Sequence, residues 1–113
     1  MLNFKEFVDN HLKLLAAGDA VKLVANDYHD DAVMVLMVGP EPQVVTGKPA
    51  LQALLGVYLR DIYRGFVSFQ KLAFSDDSIC LQATINTVAG EANVWDALFM
   101  KDGKIYRHYS GQN

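Results

Sequence analysis

The sequence holds a single cysteine, Cys80, so no disulfide can close within its 113 residues, and a metal site built on cysteines is excluded. A reducing cytoplasm is the expected setting. An excess of one charge is also missing. Ten basic residues against thirteen acidic ones give a net charge of −3. That balance offers no basic footprint for nucleic acid or an anionic membrane surface. No apolar run approaches membrane-spanning length. The opening MLNFKEF, with Lys5 and Glu6 inside the first apolar stretch, reads as neither a signal nor a transit peptide. None of the three histidines stands at a ligand spacing such as i, i+4, which argues against a bound metal. No Gly-rich phosphate loop or nucleophile elbow is present, and no cofactor is expected.

Apolar residues make up 51% of the chain, enough to bury one core, so residues 1–113 read as a single domain. Asn3 and Glu6 stand at capping-box spacing. Phe4, Phe7, Val8, His11, Leu12 and Leu15 then fall on one face of a helix that Gly18 would stop. Asp19 is placed to cap a second helix through Val21, Val24 and Tyr28. His29-Asp30-Asp31 reads as a polar break. Ala32 to Val38, continuous in apolar residues, reads as a strand buried on both sides. A short strand is expected around Val44 and Val45. Pro49 is well placed as the first residue of a third helix, which carries Leu51, Leu54, Leu55, Tyr58, Leu59 and Ile62 on a wide apolar stripe. After Gly65 four strands follow: Phe66 to Phe74, Ile79 to Val88, Ala92 to Met100 and Ile105 to Ser110. The short turns between them make hairpins and an antiparallel sheet. Helices segregated from such a sheet define the α+β class.

Ala17-Gly18-Asp19, Tyr28-His29-Asp30-Asp31-Ala32-Val33, Thr46-Gly47-Lys48-Pro49-Ala50-Leu51 and Lys101-Asp102-Gly103-Lys104-Ile105 together resemble the nuclear transport factor 2-like superfamily. The nearest likeness is to its SnoaL-like branch, which holds polyketide cyclases and relatives of ketosteroid isomerase. The resemblance covers nearly the whole chain. It implies a cone-shaped curved antiparallel sheet wrapped around the N-terminal helices, with an internal cavity, in a homodimer that packs through the outer sheet face. Members of that superfamily include isomerases, cyclases, epoxide hydrolases, binders and oligomerisation modules, so the fold does not fix the function.

Asp96 stands among apolar neighbours in Val94 to Met100, and a buried carboxyl needs a partner or must stay protonated. The resemblance places an acid here that points into the pocket and donates a hydrogen bond while neutral, as in ketosteroid isomerases. The other reading has Asp96 facing solvent or a dimer partner. Its natural partner is His108, and the pairing turns on register. A three-residue loop, Lys101-Asp102-Gly103, sets Met100 against Lys104 and Asp96 directly opposite His108, on one face with Leu98 and Tyr106. A two-residue loop sets Asp96 against Tyr109 and sends His108 to the other face. The resemblance favours the longer loop. An Asp beside a His serves equally as an acid/base pair or as a structural hydrogen bond.

His11 lies on the apolar stripe of the first helix, where the resemblance would put an oxyanion-binding tyrosine. It reads either as a donor to ligand or as a satisfied core histidine. By alignment, the general-base position of ketosteroid isomerases is Leu36, and no carboxylate lies in Val33 to Val38. Met34 and Leu36 read as apolar cavity lining or as ordinary core. Tyr58, Tyr63, Trp95, Tyr106 and Tyr109 offer polar handles to such a cavity, with Ser110 and Gln112 near its mouth.

Three functions follow as expectations. The first is a cofactor-free isomerase or cyclase acting on a small apolar or carbonyl-bearing molecule through Asp96 and His108, with His11 assisting. The second is a non-catalytic binder using the same cavity. The third is a homodimerisation module whose interior is filled.

Overall fold

The structure, a computed structural model, describes residues 3–113. Helix α1 spans Phe4–Ala17. The Asn3 side chain accepts the Glu6 backbone N–H, and the chain leaves the helix through Gly18 at φ 71°. Asp19 caps α2, Ala20–Asp27, through the Lys22 backbone N–H. Both starts satisfy N–H groups that the helix itself leaves without partners.

From here the structure departs from the pattern-based expectation. Helix α2 stops at Asp27, and Tyr28 already opens strand β1, Tyr28–Met37. His29, Asp30 and Asp31 therefore belong to the strand. They are tolerated there because the ladder to the last strand slips between Tyr28 and Val33, so these polar residues bulge away from regular pairing. Nor is β1 buried on both sides. Ala32 and Met34 are buried, Val33 and Val35 half-buried and Met37 exposed, because the helices cover only one face of the sheet.

Strand β2, Gln43–Thr46, returns antiparallel to β1. Gly47 at φ 87° leads into α3, Lys48–Asp61, where Pro49 takes the second helical position rather than the first. A missing N–H costs nothing in that first turn. Strands β3 (Tyr63–Phe74), β4 (Ser78–Thr87), β5 (Gly90–Lys101) and β6 (Lys104–Gln112) complete the chain.

The six strands form one sheet in the order β2-β1-β6-β5-β4-β3. The sheet is mixed rather than wholly antiparallel, since β1 runs parallel to β6. That pairing joins the first strand to the last, with no hairpin turn to announce it. The β3–β4 ladder shifts register at Tyr63/Gly65, Phe66/Ser68 and Phe69/Lys71. Such irregularities bend a strand and deepen its twist, and they curl the sheet towards the helices. Leu23, Leu51, Ile79 and Ile105 have no exposed surface and form the solid part of the interior. Burying each contributes about 1.5–3 kcal/mol. None of the four lines the hollow described next.

A cavity with a paired carboxylate

The concave side of the sheet and the helices leave a cavity of about 570 Å³. That falls within the span of roughly 300–1,000 Å³ common for small-ligand sites. Phe7, Val8, Leu12 and Leu15 of α1, with Leu54, Leu55 and Tyr58 of α3, form one wall. Met34, Leu36, Phe66, Phe69, Ala83, Ile85, Val94 and Leu98 form the sheet side. Into this apolar lining project a few polar groups: His11, Tyr28, Asp96, His108, Ser110 and Gln112. Of the residues singled out from sequence, His11, Met34, Leu36, Tyr58, Tyr63, Asp96, Leu98, His108, Ser110 and Gln112 meet at one hollow. Trp95, Tyr109 and Tyr106 do not line it. The Tyr106 ring sits edge-on to His29 at 5.3 Å, beneath the Arg107 guanidinium at 3.9 Å. His29, read from sequence as part of a polar break, is half-buried in that outer cluster, with Nε2 3.4 Å from Asp102.

The β5–β6 register explains how Asp96 and His108 come together, and it differs from both alternatives set out above. The loop is the two-residue one, Asp102-Gly103, with φ 55° and 75° and Lys101 paired to Lys104. Positive φ at both central residues suits the right-handed twist of the flanking strands. A bulge then intervenes: Met100 pairs with Ile105, but Phe99 pairs with Arg107, which leaves Tyr106 unpaired. That extra residue restores the parity that the shorter loop removes. It also explains why Tyr106 leaves the cavity face. Asp96 ends up across from Ser110, and Leu98 across from His108. Asp96 and His108 are therefore diagonal neighbours on the inner face, not directly opposed.

Asp96 Oδ1 lies 2.7 Å from His108 Nε2, and His108 Nδ1 lies 2.9 Å from the Tyr28 hydroxyl. Burial pushes the Asp96 carboxyl up, but the hydrogen bond and charge of His108 outweigh it. The Ser110 hydroxyl and the His11 imidazole lower it further, so the group sits below the usual carboxylate range. Asp96 is thus an ionised acceptor, not the neutral donor that the resemblance implied. Tyr28 is shifted the opposite way. Burial, then the negative charges of Asp96 and Asp27, raise its hydroxyl well above its ordinary value and keep it protonated. A carboxylate can only accept, so the His108 Nε2–H donates to Asp96, while Nδ1 meets the Tyr28 hydroxyl. His108, only 8% exposed, has both nitrogens engaged and acts on the cavity through its neighbours. Asp96 keeps about 22% of its side chain exposed and is the ionised group facing the hollow.

His11 belongs to a second pair. Its Nδ1 lies 2.6 Å from Asp27 Oδ2, and the other Asp27 oxygen accepts from the Asn26 side chain at 2.8 Å. Neither Asp27 nor Tyr28 was picked out from the sequence. The signal for Asp27 was present: it stands four residues after Leu23 on the apolar stripe of a helix, where an unpaired carboxylate is costly. Tyr28 was hidden by its assignment to that same helix. No group of three or more His, Cys, Asp or Glu side chains able to hold a metal occurs among the described residues.

No family model matches the chain, and no curated protein matches it. Solved structures do. An NTF-2 like protein of unknown function from Burkholderia xenovorans superposes with a TM-score of 0.78 at 19% identity, over 96% of this chain and 81% of that one. The chain has the nuclear transport factor 2-like fold. A Bacillus subtilis protein named as a candidate isomerase gives a TM-score of 0.76 at 18% identity, over 96% and 84% of the two chains. A Catenulispora acidiphila protein with a ketosteroid isomerase-like fold, solved with trimethylamine, gives 0.76 at 14% identity, over 93% and 83%. At these identities the nuclear transport factor 2-like likeness concerns the fold, and the cavity residues must speak for the chemistry.

Proposed function

We propose that the chain binds a small, largely apolar molecule in its cavity, with a hydroxyl or amine end against Asp96, and moves a proton to or from it without a cofactor. The observation that carries this is the Asp96 carboxyl at the wall of a largely apolar hollow, 2.7 Å from His108 Nε2, which holds it below the usual carboxylate range. Such a group rewards a hydrogen-bond donor and repels a bare carbonyl oxygen. A carbonyl must turn instead to the Tyr58 hydroxyl, which burial and Asp96 keep protonated. The line Tyr28–His108–Asp96 supplies a path along which a proton can shift as the ligand end exchanges one with Asp96. This is the chemistry of an isomerase or cyclase that works by positioning and proton transfer alone.

One observation favours a second reading, a binder without catalysis. Leu36 lines the cavity at the place where the resemblance puts a general base, and it has no proton to move. A titration with 2-naphthol, an apolar donor, tests the shared part of both readings. Saturable binding at pH 7 that weakens about tenfold or more in Asp96→Asn fits a charge-assisted hydrogen bond of about 1.5–3 kcal/mol. Absence of binding, or equal affinity in the variant, contradicts both.

The outer face of the sheet fits a homodimer. Val44, Met37 and Phe99 are exposed there at 67%, 53% and 42%. Sedimentation of the wild type and of Phe99→Asp tests it, with a dimer expected for the first and a monomer for the second.

A further inference from the structure

We infer that the cavity takes a cation: an apolar amine bound as its ammonium ion, with the charged end against Asp96 and a two-ring body lying along β5. This rests on the cavity being a binding site, as proposed above, and names the class of molecule that fills it. Among the described residues that line the hollow there is no Lys or Arg. The only side chains there able to carry positive charge are His11 and His108. Each has a ring nitrogen on a carboxylate, 2.6 Å from Asp27 and 2.7 Å from Asp96. A protonated histidine and its carboxylate sum to zero, and a neutral one leaves the carboxylate's charge in place. The wall is therefore neutral or negative, and in neither state positive. An anion entering it would give up its water and meet no counter-charge, which is costly in apolar surroundings.

The two pairs adjoin. The Tyr28 ring stacks on His108 at 6.1 Å and tilts against His11 at 6.3 Å, so both carboxylates bear on one end of the hollow. Burial raises the Tyr28 and Tyr58 hydroxyls, and beyond burial Asp96 raises both, with Asp27 acting on Tyr28 as well. Aromatic rings form much of the remaining wall: Phe7, Tyr28, Tyr58, Tyr63, Phe66 and Phe69. The Tyr58 and Tyr63 rings lie 5.6 Å apart, and those of Phe66 and Phe69 4.7 Å. The face of such a ring attracts a cation, most strongly where water is excluded. A neutral hydroxyl satisfies the Asp96 acceptor but gains little from the rings or from the field.

The ladder sets the length of the body. Asp96 stands beside Leu81, and the next inward rows are Phe69–Ala83–Val94 and Phe66–Ile85–Ala92. Both rows belong to the cavity wall. Ala92 is four residues from Asp96, roughly 13 Å along an extended strand. A fused two-ring body with a one-carbon arm to the ammonium fits that run.

Three probes of similar shape test this by calorimetric titration at pH 7: 2-naphthylmethylamine, a cation; 2-naphthalenemethanol, a neutral donor; and 2-naphthoate, an anion. The wild type should bind the amine at least tenfold more tightly than the alcohol, and the carboxylate at least tenfold more weakly. Asp96→Asn should bring amine and alcohol within about threefold of each other, since the charge that separates them is gone. Should that variant not fold, the wild-type ranking of the three probes decides alone. An alcohol bound as tightly as the amine, a carboxylate bound as tightly as the alcohol, or a tenfold preference that survives Asp96→Asn overturns the cation and leaves the cavity proposal standing. Failure of all three probes and of 2-naphthol to bind removes the cavity proposal, and this one with it.

Discussion

Replacing His108 by leucine should cost the protein about 4 kcal/mol at pH 7, with most of the loss disappearing in acid. The substitution keeps side-chain bulk but removes two hydrogen bonds at once, to Asp96 at 2.7 Å and to Tyr28 at 2.9 Å. Losing one partner of a buried ion pair costs about 3–5 kcal/mol. Asp96 is partly open to the cavity, so about 2–3 kcal/mol is the better figure, close to that for hydrogen bonds to charged groups. The Tyr28 hydroxyl, in a residue 1% exposed, loses its partner as well and adds about 1–2 kcal/mol. A domain of this size has about 5–15 kcal/mol in hand, so the variant should still fold. The pH dependence separates charge from packing. In the wild type the folded carboxyl of Asp96 is lowered. Its contribution is therefore complete above the unfolded value of about 4 and is lost as pH falls through the lower folded value. In the variant the lowering partner is gone and the burial effect remains, so the folded value rises and acid stabilises the variant relative to wild type. Urea unfolding of both proteins at several pH values from 7 to 3.5 should show the gap narrowing steadily. A gap that stays constant, or no gap at pH 7, would refute the claim that an ionised Asp96 is held by His108.

Tyr28→Phe removes only the far end of the relay and should cost about 1 kcal/mol in urea unfolding with no change in its pH dependence. Ala83→Phe places a ring in the hollow, since Ala83 is 3% exposed and lines it. Naphthol binding should fall more than tenfold while the unfolding free energy from urea denaturation falls by less than the 1–3 kcal/mol that overpacking a filled core costs. Gly111→Ala would drive a Cβ into the Trp95 ring, so the sole tryptophan must move. A shifted Trp emission and a loss of about 1–3 kcal/mol are expected.

Local chemistry made much of this fold legible. The Phe4-to-Leu15 stripe, the Gly18 stop and the Asp19 cap are signals within a few residues of one another, and the structure uses each of them. The parallel β1–β6 pair left no such trace, because pairing of the first strand with the last depends on the assembled sheet. The bulge at Tyr106 was equally silent, since nothing in Lys104-Ile105-Tyr106-Arg107 separates a bulge from a longer loop. Asp96 and His108 reached the same face by a route that alternation alone does not contain. Asp27 and Tyr28 were missed because a helix-to-strand change falls between them, so the helical period ran one residue too far. The charge of Asp96 was beyond reach for a similar reason. It depends on His108 and Ser110, which only the folded ladder sets beside it.

The most direct test is a 2-naphthol titration of protein labelled with ¹⁵N in its three histidines, read at the imidazole nitrogens. His11 and His108 line the hollow, whereas His29 lies in the outer cluster with Tyr106 and Asp102. The account predicts saturable shifts at His11 and His108 with His29 unmoved. Shifts at all three alike, or at none, would mean that no ligand site lies between the sheet and its helices.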